Sequence, residues 1–290
     1  MSLGIAFKGP EGIVLAADSR VTIMAIKQLP PQPVPPGGVA PPSSVLLPAT
    51  YDNAIKMLKV KGQDYVGAVT YGAGSIGQAA PRTASSFLPE FEASLSNAPR
   101  LTVQAFAQRL SDFFLQQWNA AAMPVVGATD MIFLIAGYDD ENAAYGRVFE
   151  VAIPSSPTPR EAIPVGVFGA VWGGQREVTD RIIQGFDPNL PIIAQDVLGI
   201  DPANRNPNLD QELKNRLTLP IPWQFLPLQD CVDLSIFLVR ATITMQKWLV
   251  DVRGVGGAVD VATVTRTEGF KVVQQKQVAG WVATGTATVI

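Results

Sequence analysis

The order of strands and helices in this chain points to an α+β fold: two antiparallel sheets face to face, each covered on its outer side by helices, as a four-layer αββα sandwich. Three observations carry that reading. Short apolar runs come in hairpin-like pairs, helical stretches interrupt them mid-chain and again before the last pair, and the first strands are too apolar to leave a face in water. Neither a repeat of 20 to 50 residues nor a shift in composition divides the 290 residues, so they read as one domain.

The chain opens with a hairpin. Ile5 to Phe7 is one strand, Gly9-Pro10-Glu11-Gly12 the turn and Ile13 to Ala17 the next strand, after which Asp18-Ser19-Arg20 leaves it. A proline-rich insertion at about 28–51 follows. Eight of the nineteen residues from Pro30 to Pro48 are proline, with Gly37-Gly38 between them, which reads as a loop without a folded element.

Lys56 to Val60 and Tyr65 to Tyr71 form a second strand pair. It ends in the small-residue turn Gly72-Ala73-Gly74-Ser75, expected to lead into a helix from Arg82 to Ser96 that Pro89 kinks or restarts. Thr102 is placed to cap a longer helix whose apolar face carries Val103, Phe106, Ala107, Leu110, Phe113 and Phe114. Strands are expected at Met131 to Gly137, Gly146 to Ile153 and Val165 to Val171, then a helix near Gln175. Residues 187–227 read as short helical pieces among prolines, including Leu209 to Leu217. After Asp230, read as an N-cap, a buried helix runs to about Trp248, and Val259 to Val264 with Gly269 to Val273 closes the chain as a hairpin. The acidic run Asp139-Asp140-Glu141 reads as a solvated hairpin turn, and Cys231 as packing.

Composition narrows the chemistry more than length does. Hydrophobic residues make up 47% of the chain and charged ones only 16%, with a net charge of -3, so no basic surface points to nucleic acid or anionic lipid. Histidine is absent and Cys231 is the single cysteine, which excludes a Ser-His-Asp triad, a Cys-His dyad, His-ligated metal and multi-Cys zinc. Acid-base work near neutral pH is left to a shifted carboxylate or lysine, a cofactor, or the terminal amine, whose ordinary pKa is about 7.7 to 8.0. Met1-Ser2-Leu3-Gly4 lacks the basic start of a signal peptide. Gln28 to Tyr51, the longest uncharged stretch, is too rich in proline to span a membrane as a helix, so a soluble cytoplasmic protein is expected.

The run from Leu3 to Arg20, LGIAFKGPEGIVLAADSR, resembles the opening of proteasome β-type subunits and their bacterial relatives, members of the N-terminal nucleophile hydrolases. Aligned without a gap on Ala16-Ala17-Asp18-Ser19-Arg20, the resemblance puts Ser2 where the family's mature chain begins with its catalytic threonine. The small side chain of Ser2 allows removal of Met1, which leaves a free Ser2 amine. One residue then supplies both the nucleophilic hydroxyl and the general base, a chemistry that needs no imidazole. The family's lysine falls on Lys56, within Lys56-Met57-Leu58-Lys59-Val60; Lys59 is the other lysine of that strand, and the alignment favours Lys56. The resemblance implies that Lys56 lowers the amine's pKa, that Asp18 holds Lys56, and that a backbone N–H of Gly72, or alternatively Gly74, receives the substrate carbonyl oxygen. It places Val21, Ala54 and Thr70 beside the nucleophile, facing a small or apolar substrate side chain.

Further along, the family's Gly-Ser-Gly and Asp-x-x-Ser-Gly turns correspond to Trp172-Gly173-Gly174-Gln175 and to Asp251 through Gly257, and both supporting serines are missing. The fold implied is that of the N-terminal nucleophile hydrolases, and the activity a threonine-peptidase-like cleavage of peptide or amide bonds with serine as nucleophile. No metal or organic cofactor is implied. The implied partners are copies of the chain itself, in a ring or ring-like oligomer, and an unfoldase. Two other readings stand beside this one: a catalytically silent, self-assembling subunit, and an acylase for small amides.

Overall fold

The structure, a computed structural model, describes residues 2–30, 44–77, 80–96, 98–125, 127, 129–250 and 253–276. In chain order the strands are β1 (Leu3–Lys8), β2 (Ile13–Asp18), β3 (Val21–Gln28), β4 (Ser44–Tyr51), β5 (Met57–Lys59), β6 (Val66–Gly72), β7 (Met131–Gly137), β8 (Arg147–Ile153), β9 (Ser156–Ile163), β10 (Gly169–Gly174), β11 (Val259–Thr265) and β12 (Gly269–Gln274). The helices are α1 (Leu88–Ser94), α2 (Val103–Ala120), α3 (Glu177–Ile183), α4 (Leu190–Val197), α5 (Leu209–Leu217) and α6 (Leu228–Gln246). One five-stranded sheet has the order β10-β1-β2-β11-β12 and another β5-β6-β7-β8-β9, with antiparallel neighbours throughout.

Every residue of β1 and β2 is buried, and strand alternation explains how. Ala6, Leu15 and Ala17 meet Val69, Tyr71 and Leu134 of the second sheet. Their neighbours Ile5, Phe7, Val14 and Ala16 pack instead with Ile183 of α3 and with Leu238 and Val239 of α6. A third cluster sets Ala68, Phe133 and Val151 against Phe91 of α1 and the face of α2 that carries Phe106, Leu110 and Phe114. Its rings interlock, Phe91 with Phe106 at 5.8 Å and Phe114 with Phe133 at 4.7 Å. The Thr102 side chain accepts from Ala105 N, as expected of the α2 cap. Asp139 assists by accepting from Val103 N, so one of the acidic turn residues serves the same helix end. Among the described residues no helix is long and apolar enough to cross a membrane.

Five local expectations are corrected. The proline-rich insertion is not wholly loop: β3 and β4 pair in register from Val21 with Tyr51 to Gln28 with Ser44. Pro48 sits opposite Met24 in this two-stranded ribbon, where a residue lacking N–H can face the side without a ladder partner. The proline-dense centre, residues 31–43, lies outside the described residues. β9, Ser156–Ile163, was not expected, because two prolines and two charges break its pattern; it occupies an edge of its sheet, where prolines are tolerated.

The strand expected at Val165 to Val171 lies instead at Gly169–Gly174 as β10. Helix α6 begins at Leu228 after Pro227 rather than at Asp230, and Leu228 N donates to the Glu11 carboxylate at 2.7 Å, which supplies the cap from another segment. In addition, Gly72-Ala73-Gly74-Ser75 does not open directly into a helix. Ile76 and Arg82 bridge first, a 3-10 turn spans Ala84–Phe87, and α1 starts with Pro89 in its first turn.

Candidate active site

Asp18, the last residue of β2, is the hub of the predicted site. Its side chain is fully buried and accepts four hydrogen bonds: Oδ1 from Leu3 N (3.0 Å) and Lys56 Nζ (2.6 Å), Oδ2 from Arg20 N (3.1 Å) and Gly256 N (3.0 Å). The residues after it complete the motif. The Ser19 hydroxyl lies 2.9 Å from both the Asp52 and Ala258 carbonyl oxygens, and Arg20 grips the Asp52 carboxylate with two nitrogens, Nη2 at 2.9 Å from Oδ2.

Lys56 precedes β5 and is buried with its ammonium on Asp18. Burial pushes that ammonium below the ordinary lysine range, against the raising pull of Asp18. Lys59 is exposed on β5. Burial therefore separates the two lysines that the sequence left open, and Lys56 is the one at Asp18.

Ser2 is buried at the start of β1. The backbone on either side of it is fixed: Leu3 N is held by Asp18, and the Ser2 carbonyl accepts from Gln175 N at 2.8 Å. Gly174 has φ +93°, and a Cβ there would stand 1.8 Å from the Ser2 oxygen, so this position needs glycine for conformation and for space. Any side chain at 174 would push against the Ser2 backbone carbonyl.

Ser2, Val21, Ala54, Lys56 and Thr70 line one small cavity of about 20 Å³, joined by Ala73 and Gly74. The structure thus brings together six of the seven residues singled out in the sequence, Asp18 lying behind Lys56. Gly72 is the one set apart. It ends β6 with φ +85°, its missing Cβ is filled by Asp130 O, and it does not line the cavity. Gly74 does, packed so closely that a Cβ would lie 2.4 Å from Val21 Cγ2. A larger groove of about 740 Å³ runs between α3 and α6, past Ile182, Phe237 and Arg240, and holds none of these residues.

Three supports went unread in the sequence. Tyr71 wedges its ring against Gly4 and Gly173, which are register partners of β1 and β10; a Cβ at either would come within 2.6 Å of that side chain. Its hydroxyl donates to Glu150 at 3.1 Å. The available signal was glycine inside two strands, which marks a close approach. Behind Ser2, Gln246 Nε2 donates to Gln175 Oε1 and Gln246 Oε1 accepts from Val255 N. Lys276 ties Asp260 (2.8 Å) to the Ala54 carbonyl (2.7 Å) at the cavity rim. Cys231 is buried away from the site, and burial pushes its thiol up to about 11, which suits packing. Asp251 lies outside the described residues.

No family model and no curated protein matches the chain. Among solved structures it is similar to a Gly-1 mutant of Anbu from Hyphomicrobium sp. strain MC1, at 14% identity and a TM-score of 0.52, over 96% of this chain and 86% of that one. At that identity the likeness shows a shared fold.

Proposed function

We propose that this chain is an N-terminal nucleophile hydrolase that cleaves peptide or amide bonds, built as a single domain in a four-layer αββα arrangement. The observation that carries the reading is the meeting of Ser2 and Lys56 at one cavity, with Lys56 held by a buried Asp18. The fold it shares with Anbu, a proteasome-like protein of the N-terminal nucleophile type, supports the same reading.

In this mechanism removal of Met1 frees the Ser2 amine. Ser2 Oγ attacks the carbonyl carbon, its proton passes to the Ser2 nitrogen, and the leaving amine departs with that proton. Water then hydrolyses the acyl ester on Ser2. The Lys56 ammonium lowers the amine's pKa and favours developing negative charge. The oxyanion role passes from Gly72 to the backbone N–H of Gly74, since Gly74 borders the cavity and Gly72 does not. Peptide or small-amide substrates, a ring-like homo-oligomer and an unfoldase partner belong to the same proposal.

A second reading, a silent self-assembling subunit, is favoured by the absence of serine from the stretches Trp172 to Gln175 and Asp251 to Gly257 and by the large insertion at about 28–51. Turnover decides between them. A panel of fluorogenic peptides is cleaved by the protein and not by Ser2→Ala or Lys56→Ala under the first reading; equal signal from all three, or none from any, favours the second.

A further inference from the structure

Lys56 is delivered by a segment that lies between two strands and belongs to neither. Residues 52–56 join β4 to β5, and their backbone is fixed from outside. The Ser19 hydroxyl donates to the Asp52 carbonyl at 2.9 Å, Ala54 N donates to the Ser19 carbonyl at 2.9 Å, and Thr70 N donates to the Lys56 carbonyl at 3.0 Å. The remaining hold comes from much further along the chain, where Lys276 Nζ donates to the Ala54 carbonyl at 2.7 Å.

Lys276 is itself held at both ends by one carboxylate. Its N–H donates to Asp260 Oδ1 at 3.1 Å and its ammonium to Asp260 Oδ2 at 2.8 Å. Asp260 is 1% exposed, within β11, where every residue is buried, and it stands opposite Ala17 beside the Val259–Asp18 pair. Apolar residues of similar volume would serve stability there as well as a buried ion pair does. What the pair supplies instead is an oriented cation. Its charge-assisted bond fixes Ala54, two residues before Lys56 and on the wall of the cavity that Ser2 lines.

The charged groups that face Lys56 are Asp18 at the end of β2, Asp260 on β11, Lys276 after β12, Asp52 on its own segment and, once Met1 is removed, the Ser2 amine. Within the pair from the end of the chain, the Lys276 cation weighs more on Lys56 than the Asp260 anion does. The pair therefore adds to the effect of burial in pushing the Lys56 ammonium down.

Resting on the reading of Lys56 as the cation that tunes the Ser2 amine, we propose that Lys276 is a positioning residue for Lys56: gripped by Asp260, it fixes the Ala54 carbonyl and thereby the ammonium two residues on. It acts through Ala54 and Lys56 rather than on the substrate.

Two readouts test this. The Lys56 side chain is titrated by NMR in Ser2→Ala protein carrying isotope-labelled lysine, where no turnover intervenes, its signal assigned by its loss in Lys56→Met. Lys276→Met raises the Lys56 midpoint, because the like charge is gone and Asp260 acts alone; Lys276→Arg keeps charge and donors and leaves the midpoint in place. Asp260→Asn combined with Lys276→Met strands no carboxylate and is read where the single variant does not fold; its midpoint rises by less. With Ser2 intact, Lys276→Met lowers kcat on the order of tenfold at unchanged KM, since a displaced lysine weakens the transition state and not binding, and Lys276→Arg keeps the parent's kcat. A midpoint that stays or falls when Lys276 is removed, or a kcat that does not change, overturns the proposal. A parent protein that cleaves no fluorogenic peptide overturns the reading of Ser2, and the midpoint alone then decides whether Lys276 sets Lys56.

Discussion

Lys56 Nζ stands 2.6 Å from Asp18 Oδ1, with side chains 6% and 0% exposed. The two partners are not equally dependent on each other. Asp18 has three backbone donors besides the lysine, from Leu3, Arg20 and Gly256, whereas Asp18 is the group on which the Lys56 ammonium rests. A buried pair of this kind is weak grounds for stability as a unit, but breaking it from one side strands a charge.

Asp18→Ala therefore destabilises the fold by about 3–5 kcal/mol, because it leaves a buried ammonium and three N–H groups unpaired. Lys56→Met costs less, since the carboxylate keeps its backbone donors. Chemical denaturation of both variants checks the order, and a larger loss for Lys56→Met contradicts the assignment of Asp18 as hub.

The pH dependence of stability has a defined sign. The folded-state pKa of Lys56 lies below its ordinary value of 10.5, so between those two values the unfolded chain binds more protons. Below the folded value both states carry the charge and the burial cost is present in full; above 10.5 both are neutral and it is gone. The unfolding free energy of the parent protein relative to Lys56→Met thus moves in the parent's favour as pH rises through that window. A fall over the same window contradicts the burial of Lys56.

Activity moves separately. With the Ser2 amine as base, the rate falls as pH drops through the amine's pKa. Replacing the neighbouring cation by Lys56→Met shifts that limb to higher pH, besides lowering the rate. A pH–rate profile whose limb does not move places the base elsewhere.

Gly174→Ala should displace Ser2, since the added Cβ would meet the Ser2 backbone carbonyl oxygen at 1.8 Å. A misplacement near 1 Å costs on the order of 100-fold in rate. Gly62→Ala is the matched control: Gly62 also has positive φ, +79°, but nothing within 4 Å of the added atom. It should lose about 1 kcal/mol of stability and keep its activity. Equal rates for the two variants remove Gly174 from the positioning of Ser2.

Gly4→Ala tests the Tyr71 wedge. The new Cβ would lie 2.6 Å from Tyr71 Cδ1, an overpacking worth about 1–3 kcal/mol. Tyr71→Leu in the same protein should recover part of that loss, read as a coupling energy in a double-mutant cycle. Additive losses show that the ring and the glycine do not meet.

What the sequence made legible were features with local causes. The β1–β2 hairpin followed from two apolar runs around a Gly-Pro turn, α2 from its threonine cap and apolar face, and the pairing of Asp18 with Lys56 from a family resemblance that holds on either side of the insertion. The features that escaped depend on partners far along the chain. β4 is a strand because β3 lies beside it, and Pro48 within it and the proline-rich run before it argued otherwise. β9 is defined by being an edge. That Gly74 and not Gly72 lines the cavity shared by Ser2 is likewise something neither residue type announces. The Gln175–Gln246–Val255 links join three segments that no local pattern connects.

Mass spectrometry of the protein incubated with a slowly hydrolysed acyl donor reads the nucleophile directly. With Ser2 as nucleophile, the amino-terminal peptide begins at unmodified Ser2 and gains the acyl mass on that residue, and Lys56→Ala abolishes the gain. Retained Met1, an acetylated Ser2, or an acyl group mapped to any other residue contradicts that role.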